Sequence, residues 1–313
     1  MTAITNAIRV DGREIEIGHA DKILFPDDGI TKADLCMYYR RVAVVSLPHY
    51  RDRALTMHRY PDGIGEAGFF QKSVPDYFPG WIETTTLGKE GGTITQVIAN
   101  DAATLVYLAN QGCITPHLSL FRTGDWAHPD RLVFDLDPSD DDFGKVRRTA
   151  KRLKDLLDEL GLACFVQTTG SRGVHVVVPL RRDTGFDQAR GFAKRTGEVL
   201  ETRYPEEVTL ALRKKRRGRH VFIDYLRNAY GQTTVAPYAV RARPGAPVAT
   251  PITWNELASA DLGPRTYTLS NLFRRLGQWD DPWTDLDKKA QSLKSAATEL
   301  EKICIRGGLG RDS

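Results

Sequence analysis

Arg131-Leu132-Val133-Phe134-Asp135-Leu136-Asp137-Pro138 is the stretch on which both fold and chemistry turn. Its apolar run marks a buried strand, yet it ends in two carboxylates one residue apart. Side chains alternate across a strand, so Asp135 and Asp137 project from one face and Leu136 from the other. Two carboxylates that close repel, and burying them uncompensated is costly. A divalent cation removes the penalty. Oxygen-only ligation selects Mg²⁺ or Mn²⁺ over zinc, and such ions commonly hold substrate phosphates as well. Asp-Pro is also a common turn starter, so a polar strand end entering a turn stands beside the metal reading.

Further along, His220-Val221-Phe222-Ile223-Asp224-Tyr225-Leu226-Arg227 sets one acid inside an apolar alternation, where Asp224 shares a face with Phe222 and His220. Asp224 is therefore a candidate to complete a three-carboxylate site with Asp135 and Asp137. Two ions on three aspartates would activate a hydroxyl nucleophile and stabilise a leaving phosphoryl oxygen, which is polymerase or nuclease chemistry. Between Arg213 and Arg243 stand nine Lys/Arg against the single acid Asp224, a local surplus larger than the +4 of the whole chain. Such a concentration suits a polyanionic partner, although a solvated basic turn reads the Arg213–Arg219 part equally well.

Between the two acidic strands, Ala163–Thr168 and Val174–Leu180 read as strands joined by Gly170-Ser171-Arg172-Gly173. This turn offers a hydroxyl, a cation and free backbone N–H groups that can cradle phosphate oxygens. It lacks the Gly-Lys-Ser/Thr of a Walker A loop, and an ordinary hairpin fits it too. His175 reads as a core or edge histidine, and His117 as a loop residue ahead of the Asp135 strand. Phe69-Phe70-Gln71-Lys72 follows a glycine-rich turn. Adjacent phenylalanines cannot both face one core from a strand, so one at least is exposed, either by accident or to stack on a nucleic-acid base.

Helices interleave with these strands. Thr31-Lys32-Ala33-Asp34 forms a capping box for a helix to about Leu47, before Pro48. Asp101 caps another through Asn110, ended by Gly112. An amphipathic helix fills 142–160 before Gly161, and another runs from about Asp187 to Arg203. Pro237–Pro251 reads as extended loop or edge. Leu286, Leu293 and Leu300 recur at heptad spacing in a charged terminal helix. The arrangement predicts an α+β domain over 1–285, with an N-terminal α/β part over about 1–125 packing on a sheet core, and a helical tail over 286–313 that frays after Arg306.

With 313 residues, 41% of them apolar and 27% charged, the chain has globular composition, which excludes a disordered or collagen-like protein. No run approaches the roughly 18 apolar residues that span a bilayer. Met1–Asn6 has neither basic nor apolar signal character, so a cytoplasmic protein is expected. Cys36, Cys113, Cys164 and Cys304 show no Cys-x-x-Cys spacing and read as reduced thiols.

Several of these segments together resemble the polymerase domain of the bacterial ligase D proteins of DNA end joining, in the archaeo-eukaryotic primase superfamily. The resemblance covers roughly residues 10–280. Its motifs are Asp135-Leu-Asp137-Pro, Gly170-Ser171-Arg172-Gly173-Val-His175, Phe222-Ile-Asp224-Tyr-Leu-Arg227-Asn228, Gly231 through Tyr238 to Arg241-Ala-Arg243-Pro-Gly, and Asp21-Lys22-Ile-Leu-Phe-Pro with Lys32 beyond. It implies an RRM-like, mixed or antiparallel sheet flanked by helices. It further implies that Asp135, Asp137 and Asp224 bind two catalytic ions, Mn²⁺ or Mg²⁺. His117, Ser171, Arg172, His175, Arg217, Arg227, Arg241 and Arg243 would surround the triphosphate of an NTP or dNTP. Lys22 and Lys32 would hold a downstream 5′-phosphate, while Phe69 and Phe70, with Lys72 beside them, would lie in a loop contacting DNA.

The activity implied is nucleotidyl transfer to a primer 3′-hydroxyl at gaps or broken ends, in end joining or short-gap filling. With neither an adenylation motif nor a nuclease domain in the sequence, a free-standing, monomeric, nucleoid-associated version is expected, working with Ku and a separate ligase. Arg172 stands where relatives often have lysine, which keeps the charge. From the residues themselves, a metal-dependent nuclease and a non-catalytic DNA-end binder remain the other readings. Three acids facing DNA phosphate count against the binder.

Overall fold

The computed structural model describes residues 7–310; the opening residues read for a signal lie outside it, as do 311–313. The chain divides into two compact units, each assembled from discontinuous segments. The first comprises Met1–Thr123, Thr233–Ala249 and Tyr267–Gly277, the second Gly124–Gln232, Thr250–Thr266 and Gln278–Ser313.

The first unit opens with an antiparallel pair, β1 (Ala7–Val10) and β2 (Arg13–Glu16), followed by a second pair, β3 (Ile23–Phe25) and β4 (Ile30–Thr31). Thr31 then caps α1 (Lys32–Tyr50): its hydroxyl accepts from the Asp34 N–H, and the Asp34 carboxylate accepts from the Thr31 N–H at 2.8 Å. The helix runs three residues beyond the predicted Leu47, taking Pro48 into its last turn. The ring removes the hydrogen bond to the Val44 carbonyl, which is tolerable because Val44 is 81% exposed.

The unit's main sheet contains β5 (Ala54–Arg59), β6 (Phe69–Gln71), β7 (Thr84–Lys89), β8 (Gly92–Ile98) and β9 (Cys113–Ser119), and Thr233–Val235, numbered β15 below, returns to pair with β9. Its order is β15-β9-β5-β8-β7, with β6 on β5. Helix α2 (Ala102–Asn110), capped by Asp101 as predicted, packs against α1 over a core that includes Leu35, Tyr39, Leu105 and Val106.

The second unit is built on β10 (Arg131–Pro138), β11 (Phe165–Thr168), β12 (Val174–Pro179), β13 (Val208–Thr209), β14 (Val221–Asp224) and β16 (Thr250–Ile252). They form one mixed sheet in the order β13-β14-β10-β12-β11-β16, antiparallel throughout except for the β13–β14 pair. This is an α+β arrangement with a largely antiparallel sheet, as expected. Helices α3 (Phe143–Glu159) and α4 (Phe186–Arg203) pack on it through the predicted stripes, burying Val146, Leu153 and Leu157 from one and Ala189, Phe192 and Leu200 from the other. Gly112 and Gly161 take the left-handed φ that ends α2 and α3.

Two short helices follow, α5 (Trp254–Ala258) in the second unit and α6 (Leu272–Leu276) in the first. The last, α7 (Leu293–Arg306), packs on α4 within the second unit and buries Leu293 and Leu300; Leu286, equally buried, precedes the helix. The chain stays tied past Arg306, since the Leu309 N–H returns to the Cys304 carbonyl at 2.9 Å.

One expectation is refined and one corrected. Pro237–Pro251 is irregular and ends in an edge strand as expected, but its irregular part is interior. Residues 236–240 and 246–249 are buried in the first unit, where Tyr38 donates to the Tyr238 carbonyl at 2.7 Å and Val240 bridges Val248. Only its end, within β16, is a sheet edge, and Pro251 sits there as an edge strand allows. His117 is not in a loop but inside β9, paired with Thr56 on one side and Val235 on the other. Among the described residues no helix is long and apolar enough to cross a membrane.

Candidate active site

Strand β10 is flanked by β14 and β12, and the ladder puts Asp135 directly opposite Asp224 on one side and His175 on the other. Asp137 lies opposite Phe222. Directly paired residues share a face, so the three aspartates from two distant stretches of sequence lie on one face of one sheet. Burial raises the pKa of Asp137, and the Asp135 charge raises it further. Burial also raises that of Asp224, against the opposing pull of Arg227.

The counter-ion present is Arg227. Its Nε stands 3.4 Å from Asp135 Oδ2 and 3.2 Å from Asp224 Oδ2, between the two carboxylates. His175 Nε2 is 3.5 Å from Asp135 Oδ1, and the Leu226 N–H donates to Asp224 Oδ1 at 3.0 Å. Among the described residues no three His, Cys, Asp or Glu side chains are already drawn together as a metal cluster. The donor set nevertheless fits a hard divalent cation: it is all oxygen, largely withdrawn from water and mutually repelling.

Asn228 fixes the short turn that carries Arg227. Beyond Asp135, β14 no longer covers β10, and the Asn228 amide takes its place, accepting from the Val133 N–H at 2.8 Å and donating to the Val133 carbonyl at 2.7 Å. Arg217 is held as firmly. It stacks 3.5 Å over the Phe222 ring and donates to the Ala211 and Leu212 carbonyls. The rest of the basic turn, Arg213–Arg216 and Arg219, is exposed.

The Gly170–Gly173 turn connects β11 to β12 as predicted. Thr169 organises it: its hydroxyl donates to the Gly173 carbonyl and accepts from the Ser171 and Gly173 N–H groups. A Cβ on Gly173 would lie 1.9 Å from the Leu136 carbonyl oxygen, so only glycine lets the turn approach the Asp135–Asp137 strand this closely. Arg265, which the sequence reading did not single out, donates from Nε to the Ser171 carbonyl at 2.8 Å. A cavity of about 350 Å³ opens beside the turn, lined by Pro138, Ser171, Arg172 and Arg265.

The remaining predicted residues belong to the first unit. Lys22 and Lys32, ten positions apart in sequence, become neighbours because the Lys32 N–H donates to the Lys22 carbonyl at 2.8 Å. Lys22 pairs with Asp62 at 2.5 Å, and the Lys32 ammonium donates to the Gly18 carbonyl, its pKa lowered by burial. Phe69 and Phe70 form the short strand β6 rather than a loop, because β5 offers it a pairing edge. Both are exposed, as is Lys72. Phe70 stacks 4.0 Å from His58 and meets the His117 ring edge-on at 5.3 Å. His58, unnoticed in the sequence, has its pKa pushed down to about 4 by burial and by Arg241, so that the stack is uncharged at neutral pH. Arg241 and Arg243 both influence Tyr60, next to His58.

Residues 31–283 match the family described as the LigD primase-polymerase domain. The chain belongs to that family. It is therefore a primase-polymerase of the nucleotidyltransferase class. A multifunctional end-joining protein LigD of Mycolicibacterium smegmatis is 33% identical over 279 residues, and a bifunctional LigD of Bacillus subtilis 31% over 293. These alignments take in 88% and 92% of this chain but only 36% and 47% of the relatives, so the chain spans less than half of their length. A solved polymerase domain of Mycobacterium tuberculosis ligase D in complex with DNA superposes with a TM-score of 0.83 at 34% identity, covering 88% of this chain and 99% of that one. All four cysteines of this LigD-type polymerase are free, and burial pushes the thiols of Cys36, Cys113 and Cys164 up to about 12, out of the range of nucleophiles.

Proposed function

We propose that this LigD-type polymerase extends a primer 3′-hydroxyl by nucleotidyl transfer at DNA gaps or broken ends carrying a downstream 5′-phosphate, in end joining or short-gap repair. The observation that carries the reading is Asp135 facing Asp224 across the β10–β14 ladder with Asp137 one step along the same face. Two Mn²⁺ or Mg²⁺ ions held by these aspartates would activate the hydroxyl and neutralise charge on the transferred phosphoryl group.

The chain's own residues supply the rest. The primer oxygen forms a bond to the α-phosphorus as the bond to the pyrophosphate oxygen breaks, so negative charge accumulates on the leaving group. In this reading Ser171, Arg172 and His175 would receive those oxygens, together with Arg217, whose guanidinium lies on Phe222. Arg227 compensates Asp135 and Asp224; with cations held by those aspartates, its guanidinium would be available to a phosphate. In the first unit, His117, Arg241 and Arg243 are the residues expected to bind nucleotide phosphate. Lys22 and Lys32 receive the 5′-phosphate, and Phe69, Phe70 and Lys72 the DNA. A broken end would be presented by Ku and sealed by a separate ligase.

The test is single-nucleotide extension on gapped DNA with Mn²⁺ or Mg²⁺, comparing wild type with Asp135→Ala and Asp137→Ala. Each variant should lose roughly a thousandfold or more, since the members of such a site act as a unit. Undiminished extension in either would defeat the assignment, and a primer that shortens would reveal a nuclease.

A further inference from the structure

Phe69 and Phe70 are neighbours in β6 and therefore project from opposite faces of the sheet. The register says which ring takes which face. Phe70 lies opposite His58, on the face that also carries Thr56 and, across the β5–β9 ladder, His117. Phe69 lies opposite Arg59, on the face where Met57 enters the core. One base cannot lie flat on both rings, so the two phenylalanines need separate partners.

The Phe69 face is organised by the half-buried Arg59. Its guanidinium lies 5.6 Å from the centre of the Phe69 ring, and Nη1 donates to Gln71 Oε1 at 2.7 Å and to the Tyr77 hydroxyl at 3.1 Å. Nε donates to the Gln111 carbonyl at 2.8 Å, which ties the group to the end of α2. These bonds run to neutral oxygens, so the charge of Arg59 is still available to an anion. Tyr77, which the sequence reading did not single out, is held in place by Arg59 and packs edge-on against Phe78, yet 61% of it is exposed. Two exposed rings, Phe69 and Tyr77, thus flank one fixed cation.

We propose that Phe69, Arg59 and Tyr77 form a second stacking site, for unpaired bases of single-stranded DNA, on the face of the first unit's sheet opposite to Phe70. The proposal rests on the reading that this protein works on DNA. It goes past that reading by giving the two phenylalanines different ligands and by adding Tyr77 and Arg59. Rings around an uncompensated guanidinium suit a ligand with both flat apolar faces and negative charge, and a nucleotide has both. An apolar protein surface would cover the rings but leave Arg59 without an anion. Duplex DNA offers the charge but keeps its base faces stacked inside, so an unpaired strand is the form that fits.

The experiment compares binding of the full chain, by fluorescence anisotropy, to a gapped duplex and to the same duplex ending in about ten unpaired thymidines, with tails of either polarity. In wild type a tail should strengthen binding about tenfold, the worth of one stacked base. Phe69→Ala and Tyr77→Ser should each abolish most of that gain. Tyr77→Phe, which keeps the ring, should retain it, and so should Phe70→Ala, whose ring lies on the other face. The substituted side chains are exposed, and unchanged melting will show that a loss of binding is not unfolding. A tail without effect in wild type overturns the proposal and leaves a protein partner as the occupant of the rings. A tail gain that survives Tyr77→Ser, or that Phe70→Ala removes as fully as Phe69→Ala does, overturns it as well. Binding needs no catalysis, so the expected pattern in a protein that never extends a primer would refute the polymerase reading and leave this site standing. Extension by a protein indifferent to tails would refute the site alone.

Discussion

On the sheet of the second unit, the polar row Asp224–Asp135–His175–Gln167 occupies the middle of four paired strands, and Asp135, His175 and Gln167 are all buried. On the sheet of the first unit, Phe69 and Phe70, proposed above to meet DNA, lie on a three-residue strand hung on β5, and are 46% and 60% exposed. The first arrangement is rigid because each carboxylate is set by a ladder, and it carries a standing electrostatic cost. The second costs little in the free protein and gains its contacts only when a partner arrives. A synthesis site has to hold reacting atoms to a fraction of an ångström, whereas a stacking surface only has to present a ring.

The sharpest way to break this contrast uses two glycines. Gly173→Ala would drive a methyl into the Leu136 backbone carbonyl, which the ladder prevents from moving, whereas Gly68→Ala would meet the Tyr60 ring, a half-buried side chain that can swing. Gly173→Ala should cost roughly 3 kcal/mol in chemical denaturation and about a hundredfold in extension, while Gly68→Ala should cost about 1 kcal/mol or less. Equal losses in the two variants would mean that the sheets do not differ in rigidity.

That asymmetry also explains what could be read from the sequence. The two-residue period of strand geometry placed Asp135 and Asp137 on one face of 131–138, and a single acid in an apolar strand singled out Asp224. The direct opposition of Asp135 and Asp224 was not legible, since nothing local sets the register of strands so far apart in sequence. The opposition of Gln167 and His175 was legible, because the Gly170–Gly173 turn that pairs Thr168 with Val174 fixes the next pair along. His117 misled because Pro116 beside it argues against a strand. The ladder with β15 ends at His117, so the N–H that Pro116 lacks falls just past its last pair. His58 and Arg265 gave no signal, since their roles arise from side chains remote in sequence.

A smaller effect is expected at the aromatic surface. Phe70→Ala should weaken binding of gapped DNA about tenfold by fluorescence anisotropy, the worth of one stacked base, while leaving thermal stability within about 1 °C. Full retention of affinity would remove Phe70 from the DNA surface. The lysine pair should matter less and more selectively. Removing the downstream 5′-phosphate should weaken wild-type binding about fivefold, and the Lys22→Ala/Lys32→Ala double variant should not distinguish the two DNAs. A variant that still discriminates places the phosphate elsewhere.

The smallest effect tests the cost on the buried side of the comparison. Burial and the neighbouring Asp135 charge raise the pKa of Asp137 in the folded protein. A raised carboxylate pKa means that the fold prefers the protonated form. The stability this group contributes is full below its unfolded pKa, near 4, and is lost as pH rises through the folded value. At neutral pH without divalent ions, Asp137→Asn should therefore melt about 2–4 °C above wild type, on the order of 1 kcal/mol, and the gap should narrow as pH falls toward 5. Adding Mn²⁺ should stabilise wild type and close the gap from the other direction, since binding to the folded state raises its stability by mass action. A variant no more stable than wild type at neutral pH would show that Arg227 and Arg172 already neutralise the face. The second sheet would then be as free of electrostatic cost as the first.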